Sequence, residues 1–277
     1  MTAPLRMLQL PIDLNALERY ADDRSWTKRE RHGRESDAGF DQGRALHHVL
    51  DETFGPSCLR PFRLMAPHGK TKGSIYAYTT STEAELRDAA AAAAAPEVSR
   101  ILALDRLATK IMPDNWVNGR RLGFDVRVRA IVRIRTALPN PRGKPYAIGS
   151  ELDAYFVEAL RNHPEHRAKI IDGKSSPSGM ATAGRTRDAV YRDWLTARVG
   201  DAATLDHDKT TLAQFQRVRV AREGCHSEGP DVVFHGELTI ADPAVFAALL
   251  ARGIGRHKAY GYGMLLLRHR GRPAMEP

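Results

Sequence analysis

The 277-residue sequence contains only two cysteines and lacks any long apolar run. Cys58 and Cys225 form neither a metal-ligand pattern nor a disulfide framework. A membrane-spanning helix needs about 20 consecutive apolar residues, and no run of that length is present. The first residues, MTAPLRMLQLPIDL, also lack the long apolar core and small-residue cleavage site of a secretory signal. These absences argue against secretion and membrane insertion, and they predict a protein of the reducing cytoplasm.

Acidic residues are a minority, and the motifs of metal and nucleotide enzymes are missing. The sequence has 33 Asp and Glu against 42 Lys and Arg, which gives a net charge of +9. It contains no HExxH, no paired CxxC, no acidic metal cluster and no Walker loop, so it predicts neither a metal nor another cofactor. The basic excess favours a polyanionic partner, because neutralising phosphates releases their counterions. We expect nucleic acid rather than a membrane surface, since the sequence has no amphipathic Lys-rich anchor.

The spacing of apolar residues predicts two halves with a similar order of elements. In the first half we predict a strand over 5–10, a loop over 20–39, a helix over 41–54, strands over 59–66 and 73–80, a helix from the capping box at Thr82 to Pro96 and a strand over 98–105. In the second half we predict a strand over 124–135, helices over 151–163 and 187–200 around a polar segment, 172–186, paired strands over 215–223 and 231–240, a helix capped by Asp242 and a strand over 260–270. The sequence therefore predicts an α+β fold of two βαββαβ domains in tandem, 1–118 and 119–277.

An alternating segment, FDVRVRAIVRIR, occupies residues 124–135. With a period of two, its apolar residues share one face of a strand, and the other face carries Arg127, Arg129, Arg133 and Arg135. Residues 120–144 hold eight Lys or Arg and one acid, Asp125. We interpret this excess as a phosphate-binding face. The alternative is a solvated strand face that binds nothing.

Glycine, basic and aromatic residues are concentrated in the segment GIGRHKAYGYG, residues 253–263, which we call the glycine-rich loop. A dinucleotide-binding loop leads from a strand into a helix, whereas this loop leads from a helix into a strand. Close backbone approach to a nucleic acid, with basic side chains on its phosphates, accounts for more of the composition than a plain turn does. The predicted contact residues are Gly253, Gly255, Arg256, His257, Lys258, Gly261 and Gly263.

The helix over 41–54 carries polar residues on the side away from its apolar stripe, at Arg44, His47, His48 and Asp51. A histidine near its ordinary pKa of about 6.5 can give or take a proton at neutral pH. On RNA it could activate a 2′-OH for attack on the adjacent phosphorus, or protonate the departing 5′ oxygen. The alternative is a surface histidine without a catalytic role.

Two segments resemble a known family. The segment GIGRHKAYGYGMLLL, preceded by DPAVFAALLAR, resembles the glycine-rich loop, helix and strand of the CasE-type (Cse3) CRISPR repeat endoribonucleases of type I-E systems. The segment RALHHVLDETFG resembles their early helix, with Leu46-His47 in a pattern like Y-x-L-H. The resemblance spans most of the chain. It implies two ferredoxin-like, RRM-related domains and a groove that binds a repeat RNA hairpin.

The same resemblance implies an activity and its residues. It implies metal-independent cleavage at the base of the hairpin by 2′-OH attack, after which the protein stays on the mature guide RNA as a subunit of the surveillance complex. His47 matches the catalytic histidine, with His48 as the adjacent alternative. Arg44 stands where the family has tyrosine, and it could stabilise charge but not carry a proton. The rival hypotheses are a non-catalytic RNA-binding scaffold subunit of a CRISPR complex and a general single-strand-binding protein.

Overall fold

Two antiparallel sheets, each with helices packed on it, organise the protein. The computed structural model describes residues 3–24, 40–67, 69–140, 143–162, 185–222 and 225–269. The predicted tandem α+β architecture is confirmed, because each half forms a sheet with the ferredoxin-like strand order. Among the described residues, no helix is both long and apolar enough to cross a membrane.

The first sheet contains β1 (Arg6–Asp13), β2 (Phe62–Met65), β3 (Lys72–Thr79) and β4 (Ala108–Ile111), in the order β2-β3-β1-β4. Its helices are α1 (Leu14–Asp23), α2 (Gln42–Phe54) and α3 (Glu83–Ala93). Alternate strand residues such as Leu8 and Ile75 are fully buried with the helices in one apolar core. The predicted capping box is confirmed, since Thr82 and Glu85 exchange hydrogen bonds at the start of α3.

The second sheet is built around a long hairpin. Its strands are β5 (Arg121–Val128), β10 (Ala203–Leu205), β11 (Thr211–Arg222), β12 (Cys225–Ile240) and β13 (Leu265–Arg268). β5 lies between β12 and β13, and both β11 and β10 pair with β12. The helices of this half are α5 (Ala154–Asn162), α6 (Arg187–Val199) and α7 (Pro243–Arg252). Asp242 caps α7 through Ala244 and Val245, as predicted.

Two small ribbons connect β5 to α5. One pairs β6 (Ile131–Arg133) with β9 (Glu151–Asp153), and the other pairs β7 (Leu138–Asn140) with β8 (Gly143–Tyr146). The helix predicted over 151–163 therefore begins three residues late, because its first residues belong to β9. β9 places Glu151 beside the glycine-rich loop.

The first sheet packs its helix-free face onto the second half of the chain. Tyr78 of β3 belongs to the second apolar core, and its hydroxyl donates to the carbonyl of Leu265 at 2.9 Å. Met7 and Tyr76 pack against the same core. The predicted domain boundary, after residue 118, falls between β4 and β5, and it stays a prediction.

Two local predictions in the first half are wrong. Residues 98–105 form a helical turn, α4 (Val98–Ile101), and a 3-10 turn (Leu104–Arg106) instead of a strand, because a short apolar run does not distinguish the two structures. Residues 20–23 belong to α1 instead of a loop, and the Asp13 side chain caps this helix through Ala16. The rest of that predicted loop, 25–39, lies outside the described residues, as does most of the polar segment 172–186.

The arginine segment is not one continuous strand with an exposed basic face, so that prediction is wrong for Arg129, while Arg127 is half-buried. β5 ends at Val128, and β6 begins after a break. Residues 122–126 are all buried, because β5 is a central strand covered on both faces. Arg129 is only 2% exposed. Arg133 and Arg135, beyond the break, are exposed as predicted.

Candidate active site

α2 and the glycine-rich loop, some 200 residues apart in the chain, are in direct contact. The Tyr260 ring stands edge-on to the His47 ring, with 5.3 Å between their centroids. Gly43 lies under the loop, where a Cβ would be 2.9 Å from the Tyr260 carbonyl oxygen. Two segments that were predicted separately thus form one site.

α2 holds His47 at the edge of this contact. The Asp41 side chain accepts from the Arg44 amide at 3.0 Å and begins the helix. The helix ends at Gly55, which has φ +90°. His47, His48 and Arg44 are half-buried, while the opposite side of the helix is buried in the core through Ala45, Leu46, Val49, Leu50, Thr53 and Phe54.

The His47 imidazole lies within a small charged network. Its Nδ1 is 3.2 Å from Nη2 of Arg60 and 3.5 Å from Oδ2 of Asp51. Arg60 also donates to Asp51. Burial lowers the pKa of His47, Asp51 raises it, and Arg60 and His48 lower it, so that the pKa lies below its ordinary value. The ring is therefore neutral at neutral pH.

Arg60 has no signal in the sequence that would have marked it as a site residue. It follows α2 and precedes β2, in a segment without a motif, and nothing in the spacing indicates that its side chain returns to the helix. Asp51 is four residues after His47, so the spacing of neighbours on a helix could have suggested that pair. Tyr260 was noted as an aromatic residue of the loop but not as a site residue.

The glycines of the glycine-rich loop are required by its own packing. Gly263 has φ +82°, and a Cβ there would lie 2.3 Å from the Ile254 carbonyl oxygen. Gly261 has φ +83°, and a Cβ would lie 3.2 Å from the Phe62 ring. The fold thus accounts for these residues, and backbone contact with RNA at the predicted glycines stays a prediction.

The basic side chains of this loop have partners within the protein. Nε of Arg256 and Nε2 of His257 lie 2.5 and 2.8 Å from the two carboxylate oxygens of Glu151. Burial raises the pKa of Glu151, but His257 and Arg256 outweigh it and hold the pKa below its ordinary value. Lys258 donates to the Arg252 carbonyl at 2.8 Å. The Arg256 side chain is 52% exposed, compared with 5% for His257, so Arg256 has the better access to a ligand.

The fold uses Arg127 and Arg129 internally. Arg127 donates twice to the buried carboxylate of Asp231, at 2.8 and 2.5 Å, and stacks on the Tyr262 ring. The Arg129 guanidinium lies against Gly229 of β12, where a Cβ would be 2.3 Å from its Nη2. Both guanidinium groups thus lie against other parts of the protein, and phosphate contact at Arg127 and Arg129 stays a prediction.

A protein-family model described as CRISPR associated protein matches residues 16–269. The chain belongs to this CRISPR-associated protein family. No curated protein matches the sequence.

Solved structures of this CRISPR-associated type share the fold. A CRISPR endoribonuclease Cse3 bound to a 19-nucleotide RNA is 16% identical, with a TM-score of 0.58 over 96% of this chain and 99% of that one. Thermus thermophilus Cse3 bound to an RNA representing a pre-cleavage complex is 16% identical, with a TM-score of 0.56 over 95% and 98%. A CRISPR-associated protein from the same organism is 15% identical, with a TM-score of 0.52 over 95% and 98%.

This CRISPR-associated protein departs from the CasE-type pattern at the tyrosine that precedes the catalytic histidine. The pattern has a tyrosine three residues before the histidine, and this chain has Arg44 there. A tyrosine nevertheless contacts His47, namely Tyr260 of the glycine-rich loop. An aromatic ring therefore packs against the candidate catalytic histidine, but it comes from the other half of the chain.

Proposed function

We propose that this protein is an endoribonuclease that cleaves CRISPR precursor RNA within the repeat, at the base of its hairpin. The contact between His47 and the glycine-rich loop carries the proposal, because it joins a neutral histidine to a loop suited to RNA. The similar solved structures support it, since two are of Cse3 endoribonuclease bound to RNA.

In the proposed reaction the RNA supplies its own nucleophile. The 2′-OH attacks the adjacent phosphorus, a 2′-O–P bond forms, and the P–O5′ bond breaks. Neutral His47 takes the 2′-OH proton and becomes an imidazolium, and the departing 5′ oxygen takes its proton from water. Arg44, one turn before His47 and always protonated, stabilises the charge of the phosphorane. The products are a 2′,3′-cyclic phosphate and a 5′-OH, and no metal takes part.

The RNA contacts that we propose are the exposed arginines beyond β5 and the glycine-rich loop. Arg133 and Arg135 bind phosphates from beyond the end of β5. In the glycine-rich loop, Arg256 is the main phosphate contact, with His257 and Lys258 beside it, and the backbone at Gly253, Gly255, Gly261 and Gly263 borders the RNA. The two domains, 1–118 and 119–277, contribute His47 and the loop respectively.

We further propose that the protein stays on the mature guide RNA as a subunit of a type I-E surveillance complex in the cytoplasm. This behaviour implies one turnover per protein molecule. The rival hypothesis is a scaffold subunit that binds the same RNA without cutting it. Leu46-His47, in the family spacing, favours the enzyme, because a scaffold does not need a histidine in that position.

Cleavage of a type I-E repeat RNA in excess EDTA tests the proposal. We expect cleavage at the base of the hairpin with the two products named above. RNA with a 2′-deoxy group at the cleaved nucleotide should bind and remain intact. Activity that returns only when Mg²⁺ is added would refute the mechanism, and binding without cleavage would favour the scaffold.

A further inference from the structure

Two neighbours with opposite hydrogen-bonding requirements meet at Nδ1 of His47. Arg60 only donates hydrogen bonds, and its Nη2 is 3.2 Å from this nitrogen. The ionised carboxylate of Asp51 only accepts, and its Oδ2 is 3.5 Å away. The shorter contact belongs to Arg60. Nδ1 therefore acts as an acceptor, and the single proton of the neutral ring lies on Nε2.

With the ring proton on Nε2, this nitrogen cannot act as a general base. A neutral imidazole that accepts a proton at Nε2 must carry its own proton on Nδ1. Asp51 could hold that Nδ1–H, but only when Arg60 does not donate to the same atom. Arg60 and Asp51 thus favour different tautomers of His47.

Arg60 is placed where bound RNA could reach it. Its side chain is 28% exposed. The next residue, Pro61, lies under the glycine-rich loop, where a Cβ on Gly253 would be 2.9 Å from the Pro61 ring. Two rings among the described residues also face the His47 ring: His48, with centroids 5.1 Å apart, and Tyr260 of the loop.

We propose that Arg60 is a positioning residue that keeps His47 in a resting tautomer until an RNA phosphate draws Arg60 away. Nδ1 then carries the ring proton and donates it in a hydrogen bond to the Asp51 carboxylate, so that Nε2 becomes the proton acceptor. The change moves one proton: Nε2–H leaves to water, water protonates Nδ1, and the ring stays neutral. Its catalytic meaning rests on the function proposed above.

The charges around His47 make the proposal measurable. Asp51 raises the pKa of His47, and Arg60 lowers it. Removing the carboxylate should therefore lower the pKa, whereas removing the guanidinium should raise it. The opposite charges alone account for these shifts, so the position of the ring proton is what separates the proposed role of Arg60 from a purely structural one.

The experiment is imidazole ¹⁵N NMR of the full chain, with the His47 signals assigned by their loss in His47→Gln. In the free protein, neutral His47 should carry its proton on Nε2. Arg60→Met, which has no hydrogen-bond donor, should move that proton to Nδ1 and raise the pKa by about one pH unit, whereas Asp51→Asn should lower it by a similar amount. Arg60→Lys, which keeps a donor, should restore the original tautomer.

Two further samples complete the test. Arg87→Met is the matched control, because Arg87 pairs with Glu83 on α3 as Arg60 pairs with Asp51, and it should leave His47 unchanged. A type I-E repeat hairpin RNA with 2′-deoxy at the cleaved nucleotide should give the parent protein the Nδ1–H tautomer.

The inference is overturned if Arg60→Met leaves the proton of neutral His47 on Nε2, or if RNA-bound His47 keeps its proton on Nε2. Should Arg60→Met fail to fold, the RNA-bound sample of the parent protein still decides the matter. Absence of cleavage in EDTA, with all NMR results as expected, would refute the proposed function and leave the assigned proton positions intact.

Discussion

Two clusters among the described residues each contain one arginine, one aspartate and one histidine, and their arginine–aspartate pairs differ in exposure. The cluster at the candidate site is Arg60, Asp51 and His47, whose side chains are 22–28% exposed. The second cluster is Arg63, Asp125 and His235, in which Arg63 and Asp125 are only 4% exposed. The two arginines are three residues apart in the chain.

The buried cluster joins the two sheets. Arg63 extends from β2 of the first sheet to Asp125 of β5 at 2.7 Å, and His235 of β12 approaches the same carboxylate at 2.8 Å. Because the Arg63–Asp125 pair is buried, we assign this cluster a structural role in holding the two halves together.

The comparison shows that residue type alone does not define a site. The arginine and the aspartate serve the assembly of the fold where they are buried, although His235 is as exposed as His47, at 22%. In the cluster at the candidate site, all three side chains remain within reach of solvent. We therefore expect substitutions in the two clusters to affect different measurements.

Replacing His47 should affect catalysis and leave folding intact. Removing a residue that transfers a proton lowers a rate by about 10²- to 10⁴-fold, so we expect a loss of this size for His47→Ala in single-turnover cleavage. Hairpin affinity and the melting temperature should change little. The His48→Ala protein should cleave the RNA at close to the parental rate. The folded fraction of the His235→Ala protein should do the same. A fully active His47→Ala protein would contradict the assigned role.

Replacing Asp125 should do the reverse. Asp125→Asn leaves the Arg63 charge buried without its counterion, and breaking a buried pair costs about 3–5 kcal/mol of unfolding free energy. Asp51→Asn, in the half-exposed cluster, should cost within about 1 kcal/mol. Urea unfolding monitored by circular dichroism measures both. Equal losses in the two variants would show that exposure does not separate the clusters.

The exposed arginines should control the salt dependence of RNA binding. Arg133→Ala/Arg135→Ala removes two cations from the phosphates, so it should reduce the slope of log affinity against log salt by about two units. Lys110→Ala, which removes an exposed cation of β4, is the control and should leave the slope unchanged. An unaltered slope in the double variant would indicate that this face is only solvated.

The pH dependence of stability should report the environment of His47. Its pKa is lower in the folded protein than the unfolded value of about 6.5, so the unfolded state binds more protons as the pH falls below 6.5. The free energy of unfolding should therefore decrease between pH 6.5 and the folded pKa, and His47→Gln should lose that contribution. Urea titrations of both proteins at several pH values test this, and a parallel pH dependence would contradict it.

The elements that were predicted correctly from the sequence depend on neighbours in the chain. α2 combines an apolar stripe with Asp41 and Gly55 at its ends, and α3 begins with the box from Thr82 to Glu85. These signals act over one helical turn, so they can be read without tertiary structure. The family spacing at Leu46-His47 was also local and pointed to the residue that now lies against the glycine-rich loop.

The roles of the arginines required the tertiary structure. Alternation in the chain assigned Arg127 and Arg129 to one strand face with Arg133 and Arg135, but it could not show that β5 would be central and covered on both sides. It also could not show that Arg60 and Tyr260 would meet at His47. These contacts join residues that are distant in sequence or lack periodic spacing, and they form only when the two sheets pack together. The sequence thus specified most helices and strands and the candidate histidine, while packing decided which charges would be buried and which would surround that histidine.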